Sequence, residues 1–232
     1  MKLLKFINQK FDLKNVTLIS LAAINYKEVI YAMEKSREKI SFFDCKIVSP
    51  QKPQALPHGI NWEKCPPLRL RESGIDDYSH YMLYHIWEHI ETDYCLVIQA
   101  DGYVLNPECW TDSFFDFDYI GAPWPRKKDA YIDPFGKQQR VGNGGFSLRS
   151  RKLLEVPRKY NIEWEVNQGN FFKHMNADSL AEDGNICVHN RHIYELANCT
   201  FAPLEVAMTF SRELPIDEFD GRKTFGFHRY LP

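Results

Sequence analysis

At 232 residues, 44% hydrophobic and 14% aromatic, the chain is long and apolar enough to bury the core of one large α/β domain, and a single domain is expected. A formal net charge of -2 excludes a general attraction to nucleic acid or to an anionic bilayer, so affinity for phosphate has to be local and the ligand small. Six scattered cysteines, with no C-x-x-C pair and no His/Cys cluster at zinc spacing, fit reduced structural thiols and a cytoplasmic protein.

Residues 1–15 are read as an amino-terminal extension in which Leu3, Leu4, Phe6, Ile7 and Phe11 interleave with Lys2, Lys5, Lys10 and Lys14. Such a segment either packs on its own domain or lies on a membrane surface, so a peripheral contact at the inner membrane stays open. No run reaches the roughly 20 apolar residues that span a bilayer, and no secretory signal is evident.

The run Val16 to Leu21 is β-branched and predicts a strand, Tyr26 to Ile40 has helical spacing, and Cys45 to Val48 returns to strand character, giving a βαβ start. Gln51 to Pro67 is proline-rich and reads as an irregular connection. Asp76 and Asp77 offer an N-cap for a helix through Glu91, whose Leu83, Ile86, Trp87 and Ile90 recur at three and four. The apolar run Tyr94 to Ile98 then predicts a strand buried on both faces. Tyr119 to Pro125 predicts a short strand ended by prolines, Gly142 to Arg149 a glycine turn entering a strand, and Ser179 to Tyr194 a helix before a loop-rich tail.

The chemistry concentrates where the central strand ends, at Gln99-Ala100-Asp101-Gly102. Ligands of open α/β sheets bind beyond the carboxyl ends of the strands, and a carboxylate there suits a hard cation carrying phosphate oxygens. The plainer alternative is that Asp101 caps a turn, which Gly102 would let bend sharply. By the same topology Ala22 and Asn25, after the first strand, are placed against a nucleotide base or ribose. Arg69 and Arg71 either reach a phosphate or face solvent. Asn143, Gly144 and Gly145 would set bare backbone and one amide against a sugar or diphosphate, or form a hairpin turn, Asn-Gly being its strongest short signal. Trp124 offers an aromatic face to a sugar ring, or is core.

Taken in order, Gln99-Ala100-Asp101-Gly102, Asp118 to Trp124, Gly142 to Ser150, Glu182-Asp183 and Gly226-Phe227-His228 make the chain resemble a family of bacterial and viral glycosyltransferase-like proteins, catalogued as the domain of unknown function DUF5672. The segments GAPW and GNGGFSLR are the most specific. The resemblance implies a GT-A-like α/β fold: a Rossmann-like nucleotide-binding half (16–110), an acceptor and catalytic half (111–232), and a mixed central sheet flanked by helices. It further implies transfer of a sugar from a nucleotide-sugar donor, UDP-linked by preference, to a glycan or lipid-linked glycan acceptor in bacterial surface polysaccharide synthesis, with inversion and with Mn²⁺ or Mg²⁺. In that pattern Asp101 matches the second aspartate of an Asp-x-Asp metal motif, with Gln99 departing from the first, and His228 resembles the late histidine that completes the metal site. Asp183, or its neighbour Glu182, resembles the base that takes the acceptor hydroxyl's proton, the alternative being that both favour a helix amino terminus.

Two other classes compete with a transferase. One is a catalytically silent nucleotide- or sugar-binding module, suggested by Gln99; the other is a metal-dependent phosphohydrolase, for which the motifs supply few ligands. Nucleic-acid binding is not expected, for there is no basic run with interleaved aromatics.

Overall fold

The computed structural model describes residues 10–68, 76–164 and 181–229. The remainder of the extension (1–9), Arg69, Arg71 and the start of the helix expected at Ser179 lie outside the described residues.

Strand β1 (Phe11–Leu21), helix α1 (Tyr26–Arg37) and strand β2 (Ile40–Ser49) form the βαβ start, followed by β3 (Asn61–Lys64), α2 (Asp76–Tyr84), a 3₁₀ turn (Ile86–His89) and β4 (Tyr94–Ile98). Then come β5 (Tyr119–Ile120), β6 (Phe146–Ser150) and α3 (Arg151–Lys159). A single helical turn at Glu182–Gly184 runs into a π-helical turn at Asn185–His189, helices Arg191–Leu196 and Leu204–Phe210 follow, and two-residue strands β7 (Ser211–Arg212) and β8 (Gly226–Phe227) complete the described elements.

Six strands form one sheet in the order β3-β2-β1-β4-β6-β5. The first four run parallel, and β6 is antiparallel to both neighbours. The apolar runs are continuous because both faces are covered. Ile19, Leu21, Val48, Cys95 and Val97 pack with α2, α3 and Tyr194. Leu18, Ile47, Leu96, Ile98 and Leu148 pack on the other face with Val29, Met33, Phe210 and Phe225. Because β2 and β3 lie to one side of β1 and β4 to the other, the carboxyl ends of β1 and β4 form a topological switch point, the place where open α/β sheets take their ligands.

Several boundaries differ from the sequence reading; in addition, the stretch Gln51 to Pro67 read as an irregular connection contains β3, and the tail read as loop-rich contains the helix Leu204–Phe210. β1 begins at Phe11, not Val16, so the limit drawn at residue 15 falls inside a strand; Phe11 to Leu13 pair with Ile40 to Phe42, whereas β4 flanks only Val16 to Ile19. That one-sided pairing leaves Phe11, Asp12, Lys14 and Asn15 exposed, which hides the strand from a hydrophobicity pattern. α1 stops at Arg37, since Ile40 is drawn into β2. α2 stops at Tyr84 and a 3₁₀ turn follows, in which His89 bonds Tyr81 Oη at 2.8 Å and Glu63. The helix expected to run to Tyr194 is interrupted at Asn190, whose backbone N–H reaches back five residues to Asn185. Among the described residues no helix is long and apolar enough to cross a membrane.

Candidate active site

Beyond β4 the chain turns at once, with Gly102 N–H donating to the Gln99 carbonyl. The carboxyl-terminal strand β8 lies directly on this turn: a Cβ at Gly102 would stand 2.6 Å from the Phe227 carbonyl oxygen, so the turn needs glycine for that approach. Arg229 N–H donates to the Asp101 carbonyl at 2.9 Å, and His228 N–H to the Arg212 carbonyl at 2.8 Å, which pins His228 above the end of β4.

The imidazole of His228 is 3% exposed. Its Nε2 lies 3.1 Å from Asp101 Oδ1 and 3.1 Å from Gln99 Oε1, and its Nδ1 lies 3.2 Å from the buried carboxylate of Glu213. Gln99 Nε2 in turn donates to Tyr78 Oη at 2.9 Å. Burial alone would lower the pKa of His228, but hydrogen bonds and charge from Asp101 and Glu213 outweigh it and push it up to about 9. The hydrogen bond from His228 holds Asp101 below the usual carboxylate range. The exposed guanidinium of Arg229 stands 3.6 Å from Asp101 and 3.8 Å from Glu213.

The glycine pair ahead of β6 forms the next wall. A methyl group at Gly145 would overlap the His228 ring, so the bare backbone lets the imidazole lie flat there. Neither Gly144 nor Gly145 has the positive φ of a two-residue hairpin turn, which excludes the Asn-Gly turn reading. Asn143 is buried, and its amide oxygen accepts Gly145 N–H at 3.2 Å, so it braces its own loop. Gly144 N–H donates to Asp183 Oδ2 at 3.0 Å, while the Gly144 carbonyl accepts from Arg149 Nη2 at 3.2 Å.

Arg149 is completely buried within β6, its cation 5.4 Å from the Tyr119 ring centre, and its Nη2 also donates to Glu182 Oε1 at 2.9 Å. Glu182, 3% exposed, is thereby the counter-charge of Arg149 and is not available as a base. Asp183 projects differently: it is partly exposed, and removal from water, reinforced by the Glu182 charge, pushes its carboxyl up to about 7. A group with that pKa exchanges a proton readily at neutral pH.

The structure thus brings Gln99, Asp101, Gly102, Gly145 and His228 into direct contact, and joins Asp183 and Glu182 to them through Gly144. Ala22 and Asn25 stand at the end of the neighbouring strand β1; Ala22 is buried, with its N–H on the Val48 carbonyl, and Asn25 is exposed and left-handed (φ 57°) at the start of α1. Trp124 is displaced from the role expected of it: it is 4% exposed, with Tyr131 stacked on it at 4.5 Å and an interplanar angle of 4°. Sequence reasoning missed Tyr78, Tyr131, Arg149, Glu213 and Arg229. A charged residue inside an otherwise uncharged strand was the available signal for Arg149; the others carry none.

The model of one sequence family, described as a protein of unknown function (DUF5672), matches residues 67–228, more than half of the chain. The chain belongs to the DUF5672 family. β1, α1, β2 and β3 of this DUF5672 protein precede the matched segment. No curated protein matches its sequence. Among solved structures it is similar to the galactosyltransferase LgtC, crystallised in complex with donor and acceptor sugar analogs, with a TM-score of 0.53 over 93% of this chain and 87% of that one. At 14% identity the likeness is one of fold, and the DUF5672 protein has a GT-A-type glycosyltransferase fold.

The buried histidine of this DUF5672 protein has a measurable consequence. A group whose pKa rises on folding contributes stability in full below its unfolded value, and that contribution is lost as pH rises through the folded one. For His228 the loss spans pH 6.5 to about 9. Thermal melts in chelator across that range are expected to fall in wild type and to flatten in His228→Gln; equal slopes in the two proteins would refute the ion pair.

Proposed function

We propose that this protein is a nucleotide-sugar-dependent glycosyltransferase, with the donor diphosphate at the crevice beyond β1 and β4 and the acceptor beside Asp183. One observation carries the reading: Asp101, Gln99 and His228 converge at the switch point of the sheet, and two glycines separate them from a carboxyl poised near neutrality. Burial of so many polar groups around the switch point costs stability, and a ligand that uses them explains their presence.

Among the described residues no group of three or more His, Cys, Asp or Glu side chains gathers as a metal set. What converges is two such groups and an amide: the Asp101 carboxylate, His228 Nε2 and Gln99 Oε1. Once His228 releases its Nε2 proton, two oxygens and an imidazole nitrogen would suit Mn²⁺ or Mg²⁺ with positions left open for phosphate, and the bare Gly145 backbone keeps a side chain off Nε2. These three residues would hold the cation, which would neutralise charge on the departing diphosphate. Glu213 orients the imidazole from its far side, and Arg229 adds a positive charge at the rim.

Asp183 takes the proton from the acceptor hydroxyl as it attacks the anomeric carbon, the chemistry of inversion, while Gly144 N–H holds the carboxylate in place. UDP-sugars are the favoured donors. The acceptor is a glycan or lipid-linked glycan of bacterial surface polysaccharide, met by a cytoplasmic protein at the inner membrane. A second reading, a silent nucleotide-binding module, is favoured by the neutral Gln99 and predicts nucleotide binding without transfer.

The test is a thermal-shift screen of UDP-, GDP-, CMP- and dTDP-sugars with and without Mn²⁺, paired with detection of released nucleotide. A ligand at 100 times its dissociation constant stabilises by about 2.7 kcal/mol. One nucleotide class is expected to raise the melting temperature in a metal-dependent manner, with the response lost in Asp101→Ala. No shift with any donor would overturn the transferase reading, and a shift without turnover would favour the silent module.

A further inference from the structure

Tyr131 occupies a backbone conformation that an aromatic residue seldom adopts, with φ at 58°. The loop holds it there firmly. Gln139 N–H donates to the Tyr131 carbonyl at 2.7 Å, and the buried Asp133 accepts from Phe135 N–H, Lys137 N–H and Gln139 Nε2 at 2.8 to 3.0 Å. Strain of this kind persists where the surrounding structure over-determines it, and it gathers at ligand sites.

The strained backbone lays the phenol ring flat on Trp124, 4.5 Å between centres and 4° from parallel. Trp124 is buried and cannot meet a ligand, whereas Tyr131 is partly exposed. Burial raises the hydroxyl's pKa, and the charges of Glu213 and Asp183 raise it further, so the phenol stays protonated and both carboxylates lie within its electrostatic reach. Trp124 in turn packs on Gly142, where a Cβ would stand 2.1 Å from the indole, so the stacked pair lies beside the glycine loop whose Gly144 N–H holds Asp183.

We infer that Tyr131, carried on the Trp124 indole, is the platform on which the pyranose ring of the acceptor stacks. The C–H groups on one face of a pyranose carry partial positive charge and meet the negative face of an aromatic ring, while its hydroxyls need acceptors nearby. The exposed side of Tyr131 supplies the first and Asp183 the second. Acceptor rather than donor is indicated because Trp124, which carries the ring, packs on Gly142, two residues before the Gly144 whose N–H holds Asp183. The inference rests on the transferase reading for the word acceptor, but the platform itself is testable without turnover.

Saturation-transfer NMR on the full chain, with methyl β-D-glucopyranoside, methyl β-D-galactopyranoside and methyl α-D-mannopyranoside as probes and with UDP and Mg²⁺ present, reads it directly. Wild type and Tyr131→Phe are expected to bind at least one pyranoside equally, and Tyr131→Leu to bind it at least tenfold more weakly while it still melts cooperatively and its UDP-induced thermal shift stays within error of wild type. Equal binding by all three proteins would overturn the platform, as would a Tyr131→Leu variant that folds but loses UDP, since the ring would then serve the donor. Pyranoside binding that depends on the ring in a protein blind to every nucleotide would support the platform and refute the transferase reading, so the two failures are separable.

Discussion

Arg149→Met is expected to lower the free energy of unfolding by about 3–5 kcal/mol, the range for breaking a buried ion pair from one side. The side chain is wholly enclosed, and its loss leaves the Glu182 carboxylate, 3% exposed, without a counter-charge and removes one of the two side-chain donors, Arg149 Nη2 and Ser147 Oγ, that reach the Gly144 carbonyl. Pairing returns less than this figure suggests, because both ions were desolvated to make the bond. The double variant Arg149→Met/Glu182→Leu is therefore expected to recover most of the loss. Urea titration reads both, with midpoints shifting at constant slope. A single-variant loss below about 1 kcal/mol, the range of an exposed pair, would refute the buried Arg149–Glu182 pair as a support of this part of the fold.

Asp183→Asn is expected to reduce sugar transfer by about 10²–10⁴-fold, the span assigned to one positioned general base. The amide keeps the shape and one acceptor oxygen for Gly144 N–H but cannot take a proton. In wild type the rate is expected to climb with pH and level off above about 7, since the carboxyl must be ionised to act. Glu182 sharpens the test. Its charge is the second cause of the raised pKa, after burial, so Glu182→Gln should move the acid limb to lower pH. Folding responds in the opposite sense to catalysis: a carboxyl raised from 3.8 to about 7 draws stability down as pH rises between those values. An Asp183→Asn protein with undiminished transfer would return the base role to another group.

The sheet was legible where strands are covered on both faces, because Val16 to Leu21 and Cys95 to Ile98 are buried without a break and the polar residues among them, Thr17 and Ser20, are small. It was illegible where one side is open, as in Phe11 to Asn15, where side-chain bonds tie a 3₁₀ turn down, as at His89, and where a π-helical turn breaks the helical register, as at Asn190. At the site, residue type and the end of a strand were enough to place Asp101 and Gly102, and a late histidine in a glycine-flanked turn was enough for His228. The substitution at Gln99 read as a loss; in three dimensions the amide faces both His228 and Tyr78, using its oxygen and its nitrogen separately. Trp124 was read from its residue type as a sugar face or as core, and nothing in the sequence singled out Tyr131. Which of two stacked rings faces outward depends on a left-handed residue in a lysine-rich loop, and no periodicity reports that. Glu213 is set by the pairing of β7 with β8, whose partners stand fifteen positions apart in sequence.

The turn after β4 is finished only when β8 settles on it, and that fixes an order in time. Gln99, Asp101, the glycine pair and Asp183 all leave the ribosome before Phe227 and His228 do, so the growing chain holds the crevice with one wall missing. Synthesis itself therefore withholds the site until residues 226–228 arrive, and a chain stopped short of them would keep the core of the sheet but not the convergence of Asp101, Gln99 and His228.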